Sequence, residues 1–180
     1  QDMLAAAMDD GLVVDAALAA SGRQAHEFWA LREHVPEAQR REGPSIKHDI
    51  SVAVSRIPAF IEQADAALRA LMPGVRIVCF GHVGDGNLHY NLSLPEAMDK
   101  AEFLARQDAV HALVHETAVR LQGSISAEHG IGRAKQDAFV RYKHPVALDA
   151  MARIKRALDP ANTFNPGRLL PRALLARPAP

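Results

Sequence analysis

Two histidines flank a glycine-rich turn near the middle of the chain, and together they could form half of a metal site. Asp85-Gly86 lies between apolar, β-prone runs, which predicts a two-residue type I′ turn, since both central positions of that turn need positive φ. In this register His82 faces His89, and Asn91 lies on the same side of the sheet as His89. Opposed Cβ atoms are roughly 4.5–5.5 Å apart, so the two imidazoles could share one ion.

A third candidate ligand follows downstream at Glu128, which His129 follows directly. Catalytic zinc commonly takes three ligands from His and carboxylate side chains and keeps one position open. His82, His89 and Glu128 are a plausible set of this kind, with His129 left over as a base. These residues alone leave two alternatives to a metal site open. The histidines could be a cross-strand pair on a half-exposed sheet, and Glu128 could lie in an ordinary polar turn.

Two cations upstream could meet an anion. Helical spacing between residues 23 and 34 puts Arg32 on a stripe with Ala25, Phe28 and Trp29, where an arginine either extends its head group to water or binds an anion. Lys47 begins a predicted strand and could equally be a solvated strand-end lysine.

Length and composition exclude several classes of protein. The 180 residues are 48% hydrophobic, enough to bury a substantial core in one domain or slightly more. A net charge of zero offers no electrostatic footprint for nucleic acid or an anionic membrane. One cysteine, Cys79, excludes an intrachain disulfide and is predicted to lie in the core. No stretch approaches the roughly 20 apolar residues of a membrane span.

The elements that must position these side chains follow from periodicity and breakers. Helix 58–72 starts with Pro58 in its first turn and stops at Pro73-Gly74. We predict helices at 1–9, 23–34, 58–72, 99–121 and 146–158, strands at 12–18 and 46–54, and a hairpin over 75–94. Strands flanked by amphipathic helices indicate an α+β fold, with an antiparallel sheet covered on one face by helices.

Three motifs, in this order, resemble the C-terminal domain of FAD-linked 2-hydroxy-acid dehydrogenases. That family includes D-lactate dehydrogenases, the glycolate oxidase flavin subunit and D-2-hydroxyglutarate dehydrogenases. The resemblance runs from about Trp29 to Leu170. The motifs are Gly81-His82-Val-Gly-Asp-Gly-Asn-Leu-His89, Glu128-His129-Gly-Ile-Gly132, and Ile154-Lys-Arg-Ala-Leu-Asp159-Pro160 with Asn165-Pro-Gly-Arg168.

The resemblance implies a role for each candidate residue. It assigns the metal, expected to be zinc with iron or manganese as alternatives, to His82, His89 and Glu128. It assigns the base that takes the hydroxyl proton to His129, and the approach to the flavin to Asn165. Substrate contacts fall on Arg32, Lys47 and Asn91.

The position of Lys47 bears on the substrate. The 2-hydroxyglutarate branch of the family has a lysine there, and a second cation suits a second carboxylate. Pro36 departs from that branch, which can present a threonine hydroxyl at the same place. A 2-hydroxyglutarate-like acid is therefore expected, with D-lactate or glycolate as alternatives. An alternative of another class is a structural metal-binding or interaction module with four closed ligands.

The resemblance also implies a ferredoxin-like substrate (cap) domain over residues 1–95 that lacks its first strand, a C-terminal helical segment over 96–170, and a frayed tail over 171–180. Neither an initial Met nor a glycine-rich dinucleotide loop is present, so we expect a fragment of a longer flavoenzyme that is inactive without its FAD-binding domain. The expected electron acceptor is an electron-transfer flavoprotein, a quinone or a cytochrome. A homodimer and a cytoplasmic or organellar-matrix location are expected.

Overall fold

The structure, a computed structural model, describes residues 1–176 and divides the chain into two compact units, residues 1–42 and the part from Gly43 onward. The first unit contains the helices α1 (Asp2–Asp9), α2 (Gly22–Glu33) and α3 (Val35–Arg41). The strands of the second unit are β1 (Ser45–Ile46), β2 (Asp49–Ser51), β3 (Arg76–His82) and β4 (Asn87–Ser93). Its helices are α4 (Ile57–Leu71), α5 (Lys100–Ala105), α6 (Gln107–Arg120), α7 (Gln136–Tyr142), α8 (Pro145–Leu158) and α9 (Arg172–Leu175).

The four strands form one antiparallel sheet with β4 at its centre. β3 pairs with the whole of β4 along one edge, while β1 and β2 pair in succession along the other. Side chains of β4 alternate between faces, so Leu88, Tyr90 and Leu92 enter the core while Asn87 and His89 lie on the opposite face. The predicted α+β class, an antiparallel sheet with helices, is confirmed.

The core lies between the sheet and helices α4 to α6. The apolar stripes predicted on these helices are buried together with the inward residues of β4, in a cluster that includes Phe60, Ala64, Leu68, Leu88, Tyr90, Leu92, Phe103, Val110, Val114 and Ala118. Cys79 packs against this cluster, as predicted, and its burial raises the pKa of the thiol to about 11. The helices therefore occupy one face of the sheet and leave the face of His89 for a polar site.

The predicted register of the hairpin is wrong by two residues. His82 pairs with Asn87, and His89 pairs with Phe80, so the loop has four residues. A 3-10 turn over Val83–Asp85 replaces the type I′ turn, and the Asp85 carboxylate accepts the Asn87 N–H at 3.0 Å. Because the shift is even, His82 and His89 still share one face, as diagonal rather than opposed neighbours.

Other predicted elements differ at their boundaries. The predicted strand 46–54 is interrupted because the His48 N–H donates to the side chain of Asn91, at 3.1 Å, instead of to a backbone carbonyl. The predicted helix 99–121 divides at Arg106, whose backbone (φ −88°, ψ −1°) ends α5. The strand predicted at 12–18 is absent: within the described residues no strand pairs with this segment.

Two helices in the C-terminal part of the chain differ from the prediction. Helix α7 was not predicted. Helix α9 falls in the tail predicted to fray, and residues 177–180 of that tail lie outside the described part of the chain.

No helix among the described residues is long and apolar enough to cross a membrane.

Candidate metal and substrate site

The segment after α6 extends the sheet and delivers Glu128 to it. Ser124 bridges to Ser51 on the free edge of β2, and Gly123 passes so close that a Cβ there would lie 2.2 Å from the Ser51 carbonyl oxygen. From this edge the chain crosses the polar face, where the Ala127 N–H donates to the Asp49 carbonyl at 3.2 Å. Glu128 and His129 therefore reach the hairpin histidines from the sheet edge opposite β3.

Glu128 connects the two hairpin histidines. Its Oε1 lies 3.3 Å from Nδ1 of His82, and its Oε2 lies 3.5 Å from Nε2 of His89. These separations exceed the roughly 2.7–3.2 Å of a good N–H···O hydrogen bond. They are close to the ~3.3–3.4 Å between ligand atoms that each lie ~2.0–2.1 Å from a tetrahedral ion. Two imidazoles and a carboxylate are donor types that suit a divalent metal, and the role of these three residues as its ligands stays a prediction.

The donor set is open on one side. His89 is 16% exposed, whereas His82 and Glu128 are 49% and 44% exposed. The His89 ring lies between Phe80 and His129, with centroid separations of 5.0 and 5.6 Å. An ion held here would retain an accessible side for water or substrate, as catalytic sites do.

His129 faces the donor set through its ring and Asp49 through one nitrogen. Its Nδ1 lies 3.6 Å from Oδ2 of Asp49, which is a charge contact rather than a hydrogen bond. The side chain is 64% exposed. The exposed ring can therefore be reached by a molecule that enters the site.

Asp49 is the residue that sequence reasoning missed. The residue is 1% exposed, and its Oδ2 accepts the N–H groups of Ala127, Glu128 and His129 at 3.2, 3.0 and 2.8 Å. Its Oδ1 accepts from Nδ2 of Asn87 at 3.2 Å. The structure sets it beside His89 by pairing β2 with β4, and this pairing between distant segments leaves no local pattern in the sequence.

A second grouping of donor atoms competes with the predicted one. Ligand atoms of Asp49, His89, Glu128 and His129 all lie within 4.8 Å of one another. The Asp49 oxygens, however, are already occupied by N–H donors, and a carboxylate has only about four lone-pair positions. Burial alone raises the pKa of Asp49, but the N–H groups of His129 and Glu128, with the charges of His129 and Lys135, lower it overall. We therefore interpret Asp49 as an anchor for the loop. His82 is not among these four residues, and its role as a ligand stays a prediction.

Asn91 is buried on the same face of β4 as His89, as predicted. Its Oδ1 accepts the His48 N–H at 3.1 Å, and the residue is 4% exposed. This contact holds the side chain in one place beside the break between β1 and β2.

Lys47 lies at that break and lines a cleft of about 530 Å³. The other cationic or imidazole side chains along the cleft are His111, His115, Lys135 and Arg141. Asp108 and Asp137 also line it. The cleft provides cations for an anionic group, while Lys47 itself has no described contact with the His82–Glu128 pair.

Two core-side histidines that were not predicted, His111 and His115, line this cleft, and the His48 ring contacts both of them. Nδ1 of His48 lies 2.7 Å from the Tyr90 carbonyl, which can only accept, so Nδ1 carries the proton and Nε2 accepts from Nδ1 of His111 at 2.8 Å. Burial, then His111, lowers the pKa of His48 to about 3, and burial lowers that of His115 to about 4. These imidazoles are neutral near pH 7.

Arg32 and Pro36 belong to the first unit. Arg32 lies near the C-terminus of α2, is half-buried, and follows the exposed Phe28 and Trp29 along the helix. The predicted helix is therefore confirmed, whereas the predicted role of Arg32 stays a prediction. Pro36 occupies the first turn of α3, where a proline fits without the loss of a hydrogen bond.

Asn165 lies in a left-handed turn (φ 49°) that Asp159 holds. The Asp159 carboxylate accepts from the Thr163 and Phe164 N–H groups at 2.9 Å each, and from Lys155. Lys155, first among these donors, lowers the pKa of Asp159. Asn165 borders a largely apolar cleft of about 770 Å³ between this turn and α8. The cleft could meet a flat ring system, but no glycine-rich phosphate-binding loop accompanies it in the described residues.

Comparison with known proteins gives consistent relatives. The family described as "FAD linked oxidases, C-terminal domain" matches residues 1–169. The D-2-hydroxyglutarate dehydrogenase of Stutzerimonas stutzeri is 40% identical over 162 residues, covering 90% of this chain and 35% of the relative. The mitochondrial D-2-hydroxyglutarate dehydrogenases of Arabidopsis thaliana and Bos taurus are each 36% identical, covering 94% and 91% of this chain and 29% of each relative. The chain thus spans about a third of the length of these relatives.

Proposed function

Because the chain belongs to the family of FAD linked oxidases, whose C-terminal domain matches residues 1–169, we propose that it supplies the substrate- and metal-binding part of an FAD-dependent dehydrogenase. The proposed reaction converts a D-2-hydroxy acid into the 2-oxo acid. The observation that carries the proposal is Glu128 facing both His82 and His89 at 3.3 and 3.5 Å, with His129 beside them.

The chemistry assigns one task to each group. Removal of two hydrogens from a 2-hydroxy acid separates a hydroxyl proton from an α-hydrogen that leaves with its electron pair. A divalent cation, zinc or alternatively iron or manganese, supplies Lewis acidity that lowers the pKa of a bound hydroxyl. His82, His89 and Glu128 would hold it. His129 is proposed to accept the hydroxyl proton on its ring. FAD supplies the two-electron acceptor, and Asn165 is proposed to face it.

The proposed substrate is a dicarboxylic 2-hydroxy acid similar to D-2-hydroxyglutarate, the compound in the names of the relatives. Asn91 and Arg32 are proposed to bind it, with Lys47 in a cation-lined cleft as the partner of a second carboxylate. Pro36 cannot donate a hydroxyl, so this chain relies on its cations more than on a side-chain alcohol. D-lactate and glycolate are the competing substrates.

We extend the proposal to the domain division, the electron acceptor, the oligomeric state and the cellular location. The domain division proposed from the resemblance is a substrate domain over 1–95 and a helical segment over 96–170. An electron-transfer flavoprotein, a quinone or a cytochrome would reoxidise the flavin, and a homodimer is proposed. Named relatives come from a bacterium and from mitochondria, which supports a cytoplasmic or organellar-matrix location.

Stopped-flow flavin reduction in the complete enzyme tests the substrate. We expect D-2-hydroxyglutarate to give a higher reduction rate per unit concentration than D-lactate or glycolate, and Lys47→Met to remove most of that preference. The exposed Lys100→Met is the matched control, because Lys100 begins α5 and has no place in the cleft. A clear preference for D-lactate would contradict the role given to Lys47.

A further inference from the structure

The segment that carries Glu128 and His129 needs external support. Between Ser124 and Gly130 the backbone forms no helix, and its backbone contacts with the sheet are the bridge at Ser124 and the Ala127 N–H that donates to the Asp49 carbonyl. The side chains of Glu128 and His129 are 44% and 64% exposed, so packing around them does little to fix their positions. A donor set that must bind an ion within a few tenths of an ångström requires its backbone to be held from behind.

Asp49 holds this backbone by its amide groups. Three successive N–H groups, those of Ala127, Glu128 and His129, converge on Oδ2 at 3.2, 3.0 and 2.8 Å. Successive amides pointing at one anion form a nest, in which the charge and the local backbone conformation fix each other. Hydrogen bonds to a charged acceptor are the stronger kind, and Asp49 is itself fixed by Asn87 on the neighbouring strand.

Lys135 holds Ile125 and Ser126, the two residues before Ala127, through its ammonium group. Its Nζ donates to the Ile125 carbonyl at 3.1 Å and to Oγ of Ser126 at 3.0 Å. Lys135 directly precedes α7 and is half-buried. Oγ of Ser126 in turn donates to the Gly130 carbonyl at 2.9 Å, which closes the segment on itself. Five consecutive residues, 125–129, are thus restrained by two oppositely charged side chains.

We propose that Asp49 and Lys135 are positioning residues of the metal site, acting on Glu128 and His129 through the backbone of residues 125–129. Neither touches a reacting atom. Asp49 also faces Nδ1 of His129 at 3.6 Å. The inference rests on the proposed function, since it explains how that function's ligand and base are held in place.

Cobalt(II) binding to the complete protein tests the inference without requiring turnover. Asp49→Asn and Lys135→Gln should each weaken Co²⁺ binding by about 10- to 100-fold, the usual effect of removing an outer-shell partner, and should change the d–d absorption band. Lys135→Arg keeps the charge and the donors and should restore binding. Asp65→Asn is the matched control, because its carboxylate accepts the Tyr90 hydroxyl on the core side of the sheet.

The outcomes separate this inference from the proposed function. If the unmutated protein and both variants bind Co²⁺ equally with one spectrum, the positioning roles are wrong and the proposed function stands. If the unmutated protein binds no Co²⁺, the metal site itself is wrong and the inference falls with it. Should Asp49→Asn fail to fold, the comparison of Lys135→Gln with Lys135→Arg still decides.

Discussion

Glu128 is the residue on which the metal proposal depends most, because its two oxygens face two different imidazoles. Asp49 and Asp159 accept hydrogen bonds of ordinary length from backbone donors. Glu128 instead remains 44% exposed between His82 and His89. Backbone N–H groups occupy Oδ2 of Asp49, so we interpret Asp49 as an anchor and propose Glu128 as the ligand.

The buried histidine His115 makes the stability depend on pH. Burial, then His111 and Lys135, lowers its pKa from 6.5 to about 4. The unfolded chain therefore binds a proton first as the pH falls, so this contribution to stability is complete above about pH 6.5 and is lost between pH 6.5 and 4. His115→Leu should flatten the fall in unfolding free energy over this window by on the order of 1–3 kcal/mol.

Urea unfolding at a series of pH values measures this effect. His26→Leu is the matched control, because His26 is an exposed histidine on α2, and its profile should follow that of the unmutated protein. If the profiles of His115→Leu and the unmutated protein run parallel from pH 7 to pH 4, the account of the histidine cluster is wrong. The slope decides the result, so a uniform packing loss in the variant does not affect the conclusion.

At the scale of elements, the hairpin between β3 and β4 sets the spacing of the site. Gly86 has a φ of +74°, and a Cβ there would lie 1.9 Å from the Val52 carbonyl oxygen. The backbone at Gly86 also accepts the Val52 N–H at 3.1 Å, which ties the loop to the end of β2. The positive φ and the close approach to the Val52 carbonyl both require glycine at this position.

Gly86→Ala should therefore lower the unfolding free energy by more than the roughly 1–2 kcal/mol of a left-handed alanine. Gly84→Ala in the same loop should change it by less than about 0.5 kcal/mol, because a Cβ at Gly84 would meet no heavy atom within 4 Å and the φ there is not positive. Thermal or urea unfolding of the two variants measures the difference. Equal effects would contradict the close approach of the loop to β2.

The sequence predicted the elements whose patterns are local. Apolar stripes located α4 and the buried face of α6, and Asp-Gly located the hairpin. The register failed because Asp85 uses its side chain to accept the Asn87 N–H, which permits a four-residue loop that backbone preference alone does not reveal. The break at His48 likewise depends on Asn91, 43 residues away in sequence, so no local pattern encodes it.

At the scale of the whole molecule, the candidate site draws on distant parts of one chain. His82, His89 and Glu128 were predicted as a ligand set from their residue types and from motifs that resemble those of a family. Asp49 and Lys135 depend on contacts between β2, β4 and the segment before α7. Residue types can indicate chemistry, but the partners that hold a loop in place emerge only when the strands are paired. The functions of Arg32 and Asn165 stay predictions.

The central claim is that the ion held by His82, His89 and Glu128 is required for oxidation of a 2-hydroxy acid. The most direct measurement is the rate of flavin reduction by D-2-hydroxyglutarate in the complete enzyme carrying His82→Ala, with flavin content measured in the same sample. We predict that flavin stays bound and that its reduction is lost, while the exposed-histidine variant His26→Ala reduces normally. Reduction of the His82→Ala enzyme at the unmutated rate would contradict the account.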